Sequence, residues 1–93
     1  DPRGTLAIRS IAPNPVRAGA TIHFDLAAPA RVRLAVHDVR GRRVATIVDD
    51  AALDAGAHQV AVRTEGWPAG LYLCRLTAGT QEATRKVIVV RGN

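Results

Sequence analysis

The 93-residue chain has little of what catalysis or membrane insertion requires. It contains no methionine, one serine (Ser10), one cysteine (Cys74), one lysine (Lys86) and two glutamates (Glu65 and Glu82). No Gly-x-Ser-x-Gly surrounds Ser10, so a serine nucleophile of the hydrolase type is excluded. Two isolated glutamates place no carboxylate pair on one strand face, which removes glycosidase-type acid/base chemistry. No glycine-rich loop leads from a strand into a helix to cradle phosphates. A lone cysteine makes neither an internal disulfide nor a thiolate zinc set. Within its apolar alternation Cys74 reads as a buried, inert thiol. No stretch reaches the roughly 18 uncharged apolar residues of a membrane span. The start, Asp1-Pro2-Arg3-Gly4, is no signal peptide. An exported protein with this sequence would carry its export information upstream on a longer chain or within the domain itself.

Aromatics are equally scarce. Phe24, Trp67 and Tyr72 are the only three, so aliphatic side chains must build the core. At 47% hydrophobic residues the chain is too apolar for a disordered tail. A chain of this length buries roughly 60% of its unfolded surface, enough for one small core. Twelve arginines and one lysine face eight acidic residues, for a net charge of +5. Arg31, Arg33, Arg40, Arg42 and Arg43 fall close together. A nucleic-acid reader would pair such charge with stacking aromatics or a recognition helix, and the sequence offers neither. The cluster therefore reads as a solvated sheet face, and any partner it has is acidic, an anionic glycan or a lipopolysaccharide-type surface first. His23, His37 and His58 stand apart in sequence, without metal-ligand spacing, and are assigned outward positions. Asp49, Asp50 and Asp54 lack the central glycine of a calcium loop. No cofactor is implied.

What the chain does have is period two. In Thr21–Leu26 the residues Ile22, Phe24 and Leu26 alternate with Thr21, His23 and Asp25. In Arg31–His37 the residues Val32, Leu34 and Val36 share a face opposite the arginine pair. Both predict half-buried strands. Pro29 sits between them, where a tight connection is needed. Five further runs fit: Leu6–Ile11, Arg43–Val48 (Val44, Thr46 and Val48 on one face), Ala57–Arg63 (Val60 and Val62), Leu71–Leu76 (Tyr72, Cys74 and Leu76) and Lys86–Val90. The last is almost wholly apolar, as in a strand buried on both sides or pinned against an edge. Asp38-Val39-Arg40-Gly41 predicts a hairpin turn of type I, closed through a bulge by a positive φ at Gly41. The segment Asp49–Asp54 leaves room for a short helical turn. Seven short strands at this spacing predict an all-β, immunoglobulin-like antiparallel β-sandwich, with residues 1–93 as one domain. The Cys…Trp…Cys framework of antibody domains is absent. Trp67, between Gly66 and Pro68, reads as a cap on one end of the core.

An ordered set of residues is similar to a known family. It comprises Pro13-Asn14-Pro15, Val32-x-Leu34-x-Val36-His37-Asp38-Val39-Arg40-Gly41-Arg42-Arg43-Val44, Ala55-Gly56-x-His58, Pro68-Ala69-Gly70-Leu71-Tyr72-Leu73-Cys74-Arg75-Leu76 and Lys86-Val87-Ile88-Val89-Val90. From about Leu6 to Arg91 the chain resembles the C-terminal sorting domains of the type IX (Por) secretion system. These are related to the immunoglobulin-like domain of flagellar hook-capping proteins.

The resemblance implies a non-enzymatic module of a larger secreted protein, recognised by the outer-membrane translocon and removed by a sortase-like protease. Its cargo would pass the periplasm to the cell surface or the medium. By motif, the Asn-Pro element maps to Asn14 and Pro15, and the Asp-x-x-Gly-Arg turn to Asp38, Gly41 and Arg42. The Gly-x-Tyr strand start maps to Gly70 and Tyr72, and the terminal lysine to Lys86. The recognition signal would lie in the last two strands, roughly residues 70–90. As a sorting module the parent chain is expected to end at or near Asn93. Two other readings stay open: a structural spacer or assembly domain of the hook-cap type, and a carbohydrate-binding module using Trp67.

Overall fold

A computed structural model describes residues 6–91. Seven strands run in the order β1 (Ala7–Ala12), β2 (Gly19–Leu26), β3 (Ala30–Asp38), β4 (Arg43–Leu53), β5 (Gly56–Arg63), β6 (Gly70–Ala78) and β7 (Gln81–Val89). They form two antiparallel sheets, β1-β2-β5 and β4-β3-β6-β7, packed as a sandwich. The chain changes sheet three times, after β2 through the Pro29 connection, after β4, and after β5.

Alternation positions the core. Ile22, Phe24 and Leu26 from one sheet meet Val32, Leu34, Val36, Cys74 and Leu76 from the other, all at 4% exposure or less. With one phenylalanine in the interior, branched aliphatics supply most of the packing, as the composition requires. Tyr72 is buried at the rim, and Trp67 is half-buried against the same cluster, so the cap assigned to Trp67 is what the fold contains.

Three elements depart from simple alternation, each for a local reason. In β1 the pairing passes from Ile8↔Phe24 to Ser10↔His23, which leaves Arg9 as an extra residue. This bulge brings Ile11, three positions from Ile8, onto the buried face. In β4 the partners jump from Val32↔Ala51 to Leu34↔Val48, then to Ala35↔Thr46, and again between Val36↔Ala45 and His37↔Arg43. Three bulges let consecutive Ile47 and Val48 pack on the core and push Val44 outward to 38% exposure. The expected single face of Val44, Thr46 and Val48 is thus overturned. So is the helical turn at Asp49–Asp54: β4 continues to Leu53, with Asp50 in a left-handed conformation (φ 55°) at the bulge. There Asp50 receives the Arg31 guanidinium (3.2 Å to Oδ1, 2.8 Å to its carbonyl), and Asp49 pairs with Arg33 at 3.3 Å. A sheet edge bent by bulges and fringed with ion pairs is a poor template for another strand.

His58 also corrects the sequence reading. It pairs with Phe24 across β2 and β5, so it shares the inward parity of Val60 and Val62. Its ring stacks on Phe24 at 5.3 Å between centroids, and Nε2 lies 2.7 Å from the Asp54 carbonyl. Strand β7 resolves the choice left by its composition. It is an edge strand, with Val87 and Val89 buried and Ile88 exposed.

Candidate functional site

The turn after β3 is organised by one carboxylate. Asp38 Oδ1 accepts the amides of Arg40 (2.9 Å) and Arg42 (3.0 Å), while Oδ2 takes Arg42 Nε at 3.2 Å. The Gly41 amide donates to the Asp38 carbonyl at 3.0 Å, and the Asp38 amide to the Arg42 carbonyl at 2.9 Å. Gly41 has φ 88°, the value that closes such a turn through a bulge and that a side chain resists. Partial burial pushes the Asp38 carboxyl upward. The amides of Arg42 and Arg40, with the Arg42 guanidinium, outweigh it and hold the group below its ordinary 3.8.

Beside this turn, Asp38 stands in register with Tyr72 on β6. Gly70, φ 153°, begins β6, and the Tyr72 hydroxyl donates to the Pro68 carbonyl four residues back. Trp67 leans on the Tyr72 ring at 5.3 Å and 43°. Its carbonyl accepts Arg91 Nη1 at 2.6 Å, which ties residue 91 to the loop before β6. Asp38, Arg42, Arg43, Val44, Pro68 and Tyr72 line a shallow groove here.

The Asn-Pro element does something sequence spacing could not reveal. Asn14 Oδ1 accepts the Ile88 amide at 3.1 Å, and Nδ2 donates to the Lys86 carbonyl at 3.4 Å. Two residues on, the Val16 amide donates to the Ile88 carbonyl (2.7 Å), and the Val90 amide to the Val16 carbonyl (2.8 Å). Val16, fully buried, thereby forms a parallel bridge with Val89. Segment 13–16 leaves the three-stranded sheet and clips the outer edge of β7, so the end of that strand presents few free backbone groups. Farther along, Arg85 Nη2 reaches the Arg9 carbonyl at the β1 bulge (3.0 Å), closing the same flank of the sandwich.

The outer face of the β6–β7 hairpin is partly apolar. Leu71 and Ile88 are cross-strand partners, 40% and 47% exposed. Leu73, half-buried, pairs with exposed Lys86 on the same face. Parity opposite to Tyr72 and Val87 already implied outward positions for Leu71 and Ile88 in the sequence, but an apolar residue in a strand reads by default as core.

All eight residues mapped by motif fall at one end of the four-stranded sheet. Asp38, Gly41 and Arg42 stand at the end of β3, Gly70 and Tyr72 at the start of β6, Lys86 near the end of β7, and Asn14 and Pro15 beside it. Val16, Arg91 and the Leu71–Ile88 pair belong to the same region and were not singled out by sequence. The five clustered arginines prove divided: Arg31, Arg33 and Arg42 are in ion pairs, while Arg40 and Arg43 have no carboxylate partner among the described residues. Cys74, fully buried, has its thiol pushed up to about 11 by desolvation, which leaves it without thiolate character. Among the described residues no helix is long and apolar enough to cross a membrane.

A comparison with curated proteins finds no match to the chain. A model of the family described as "Secretion system C-terminal sorting domain" matches residues 10–90, a span holding all eight motif residues and every strand but the first three residues of β1. The chain therefore belongs to the type IX secretion system C-terminal sorting domains.

Proposed function

We propose that this domain works as a non-enzymatic sorting and anchoring module whose β6–β7 hairpin is the surface read by the outer-membrane translocon. The family directs secretion to the cell surface or extracellular space, and it is not an enzyme family. The observation that carries the finer reading is the outward Leu71–Ile88 pair, which puts two large apolar side chains at 40% and 47% exposure on the final hairpin, next to Lys86. Exposed apolar pairs on a strand hairpin mark places where another protein packs. The motif residues then act from behind that face. Asn14 and Val16 hold β7, Tyr72 anchors the start of β6, and Asp38 rigidifies the neighbouring turn. A rigid support keeps the recognition face in one geometry before contact, which lowers the entropic cost of binding. Removal by a sortase-like protease and attachment of cargo to an anionic lipopolysaccharide complete the proposal.

The test is a fusion of residues 1–93 to a periplasmic reporter in a host with a working type IX system. The reporter is expected on the surface or in the medium. A Leu71→Asp/Ile88→Asp double variant, shown to be folded by its urea transition, is expected to leave it in the periplasm. Retention of the unmodified fusion would overturn the sorting role. Normal export of the double variant would move the signal off this face.

A further inference from the structure

The charges of the domain are sorted along its length. The body is 44 Å long and 23 by 21 Å in cross-section. One end carries segments 13–18, 39–42 and 64–69 together with residues 90 and 91, because β1, β3, β5 and β7 finish there and β2, β4 and β6 begin there. In the four-stranded sheet, Arg43, His37, Leu73 and Lys86 form one row near that end. The corresponding limit of the other sheet is the Gly19–Arg63 pair. Seven cations but only two carboxylates, Asp38 and Glu65, lie at or beyond these rows; the remainder of the described residues holds five cations and five carboxylates. The positive excess of the described residues therefore belongs to one end.

Both carboxylates of that end are already engaged, Asp38 with Arg42 and Glu65 with Arg63 at 3.3 Å. Arg17, Arg40, Arg43, Lys86 and Arg91 are exposed and have no carboxylate partner among the described residues. Amid them Val39 sits on the β3–β4 turn at 68% exposure, the most exposed large apolar side chain described. The turn under it is stiffened by Asp38, so Val39 is held outward.

We propose that this basic end docks the domain on the anionic headgroup layer of a membrane, with lipid phosphates as the ligands of the arginines and Val39 entering the layer. Guanidinium forks match phosphate oxygens bidentately. Three loops and the residues after β7 are brought together on that one end. An acidic protein would need concavities shaped to a protruding valine, whereas a headgroup layer accepts it anywhere. The rest of the described residues are electrically balanced, and β1 begins at the opposite end, so a docked domain points residue 7 away from the surface. This docking uses the turns at the end where the Leu71–Ile88 pair also lies, goes beyond translocon recognition of the β6–β7 face, and is tested without secretion machinery.

Residues 1–93 are sedimented with vesicles of 30% phosphatidylglycerol in phosphatidylcholine, and with pure phosphatidylcholine, at 0.1 M salt. Binding is expected only to the anionic vesicles and should weaken steeply as salt rises. Each cation near such a surface contributes about five-fold to partitioning. Arg40→Gln/Arg43→Gln should therefore lower binding on the order of twenty-fold, while Arg33→Gln/Arg75→Gln, with the same net charge, lowers it less than about three-fold. Val39→Ser should lower it several-fold with charge unchanged. Urea transitions of all variants confirm that each is folded. Absence of binding to anionic vesicles, or equal losses in the two double variants, would overturn the proposal. Equal retention by soluble polyglutamate, insensitive to Val39→Ser, would overturn it in favour of an acidic polypeptide.

Discussion

Replacing Asn14 by alanine removes two hydrogen bonds that reach across 74 and 72 residues of chain to Ile88 and Lys86. The first, 3.1 Å to the Ile88 amide, has ordinary length; the second, 3.4 Å to the Lys86 carbonyl, is long and worth less. Both lie at the surface, where a bond lost to the protein is regained from water, so net stability should fall by about 1–1.5 kcal/mol. The local effect is larger than the global one. Successive β7 amides point alternately to β6 and away from it, so Val87 and Val89 donate to β6 while Ile88 depends on Asn14. In amide hydrogen exchange, Ile88 should therefore exchange at least about tenfold faster in Asn14→Ala, with Val87 and Val89 accelerated only as far as global stability falls. Asn14→Asp keeps the acceptor and loses the donor, so it should retain most of the Ile88 protection. An unchanged ratio of Ile88 to Val87 exchange in Asn14→Ala would refute the clip.

Three further outcomes follow from other parts of the structure. Leu34, fully buried between the sheets, should cost about 2–4 kcal/mol when cut to alanine, and a urea transition that moves by less than 1 kcal/mol would mean the core is misassigned. Asp38 is held below its ordinary carboxyl value, so its contribution to stability is complete above an unfolded value of about 3.9 and is lost as pH falls through the folded value. Acid unfolding of Asp38→Asn should accordingly be less steep than that of the unmodified domain, and identical profiles would argue against the turn network. Cys74, with its thiol near 11 and no exposed surface, should ignore a thiol reagent at pH 8 until denaturant is added; stoichiometric labelling of the folded domain would contradict this packing.

Much of the sandwich was readable because its causes are local. Ile22, Phe24 and Leu26, or Tyr72, Cys74 and Leu76, announce their face through period two alone. The Asp38–Gly41 turn is equally readable, since a short acid and a glycine three residues apart set its geometry without distant help. Strand β4 is unreadable from Arg43 on because three bulges in its pairing with β3 break the period. His58 has the parity of Val60 and Val62, yet as a polar residue it reads as outward from sequence; Phe24 offers it a stacking face inside. Asn14 is legible as a motif residue, yet its work is invisible in sequence because its partners Lys86 and Ile88 lie 72 and 74 residues away. The charge polarity is hidden for the same reason: Arg17, Arg43 and Arg91 come to the same end of the domain only through the topology.

The clip also decides how the domain answers to force. Strands β1 and β7 run in the same direction, so the chain enters at one end of the 44 Å body and leaves at the other. Tension between residues 6 and 91 then pulls Val16 and β7 past each other lengthwise. The bonds from Asn14 and Val16 to Lys86, Ile88 and Val90 are loaded together and in shear, where opening a hairpin would break them one at a time. Resistance to pulling depends on the unfolding barrier, not on equilibrium stability. The short segment from Pro13 to Val16 thus acts as a mechanical lock of the domain, closed along the line from residue 6 to residue 91.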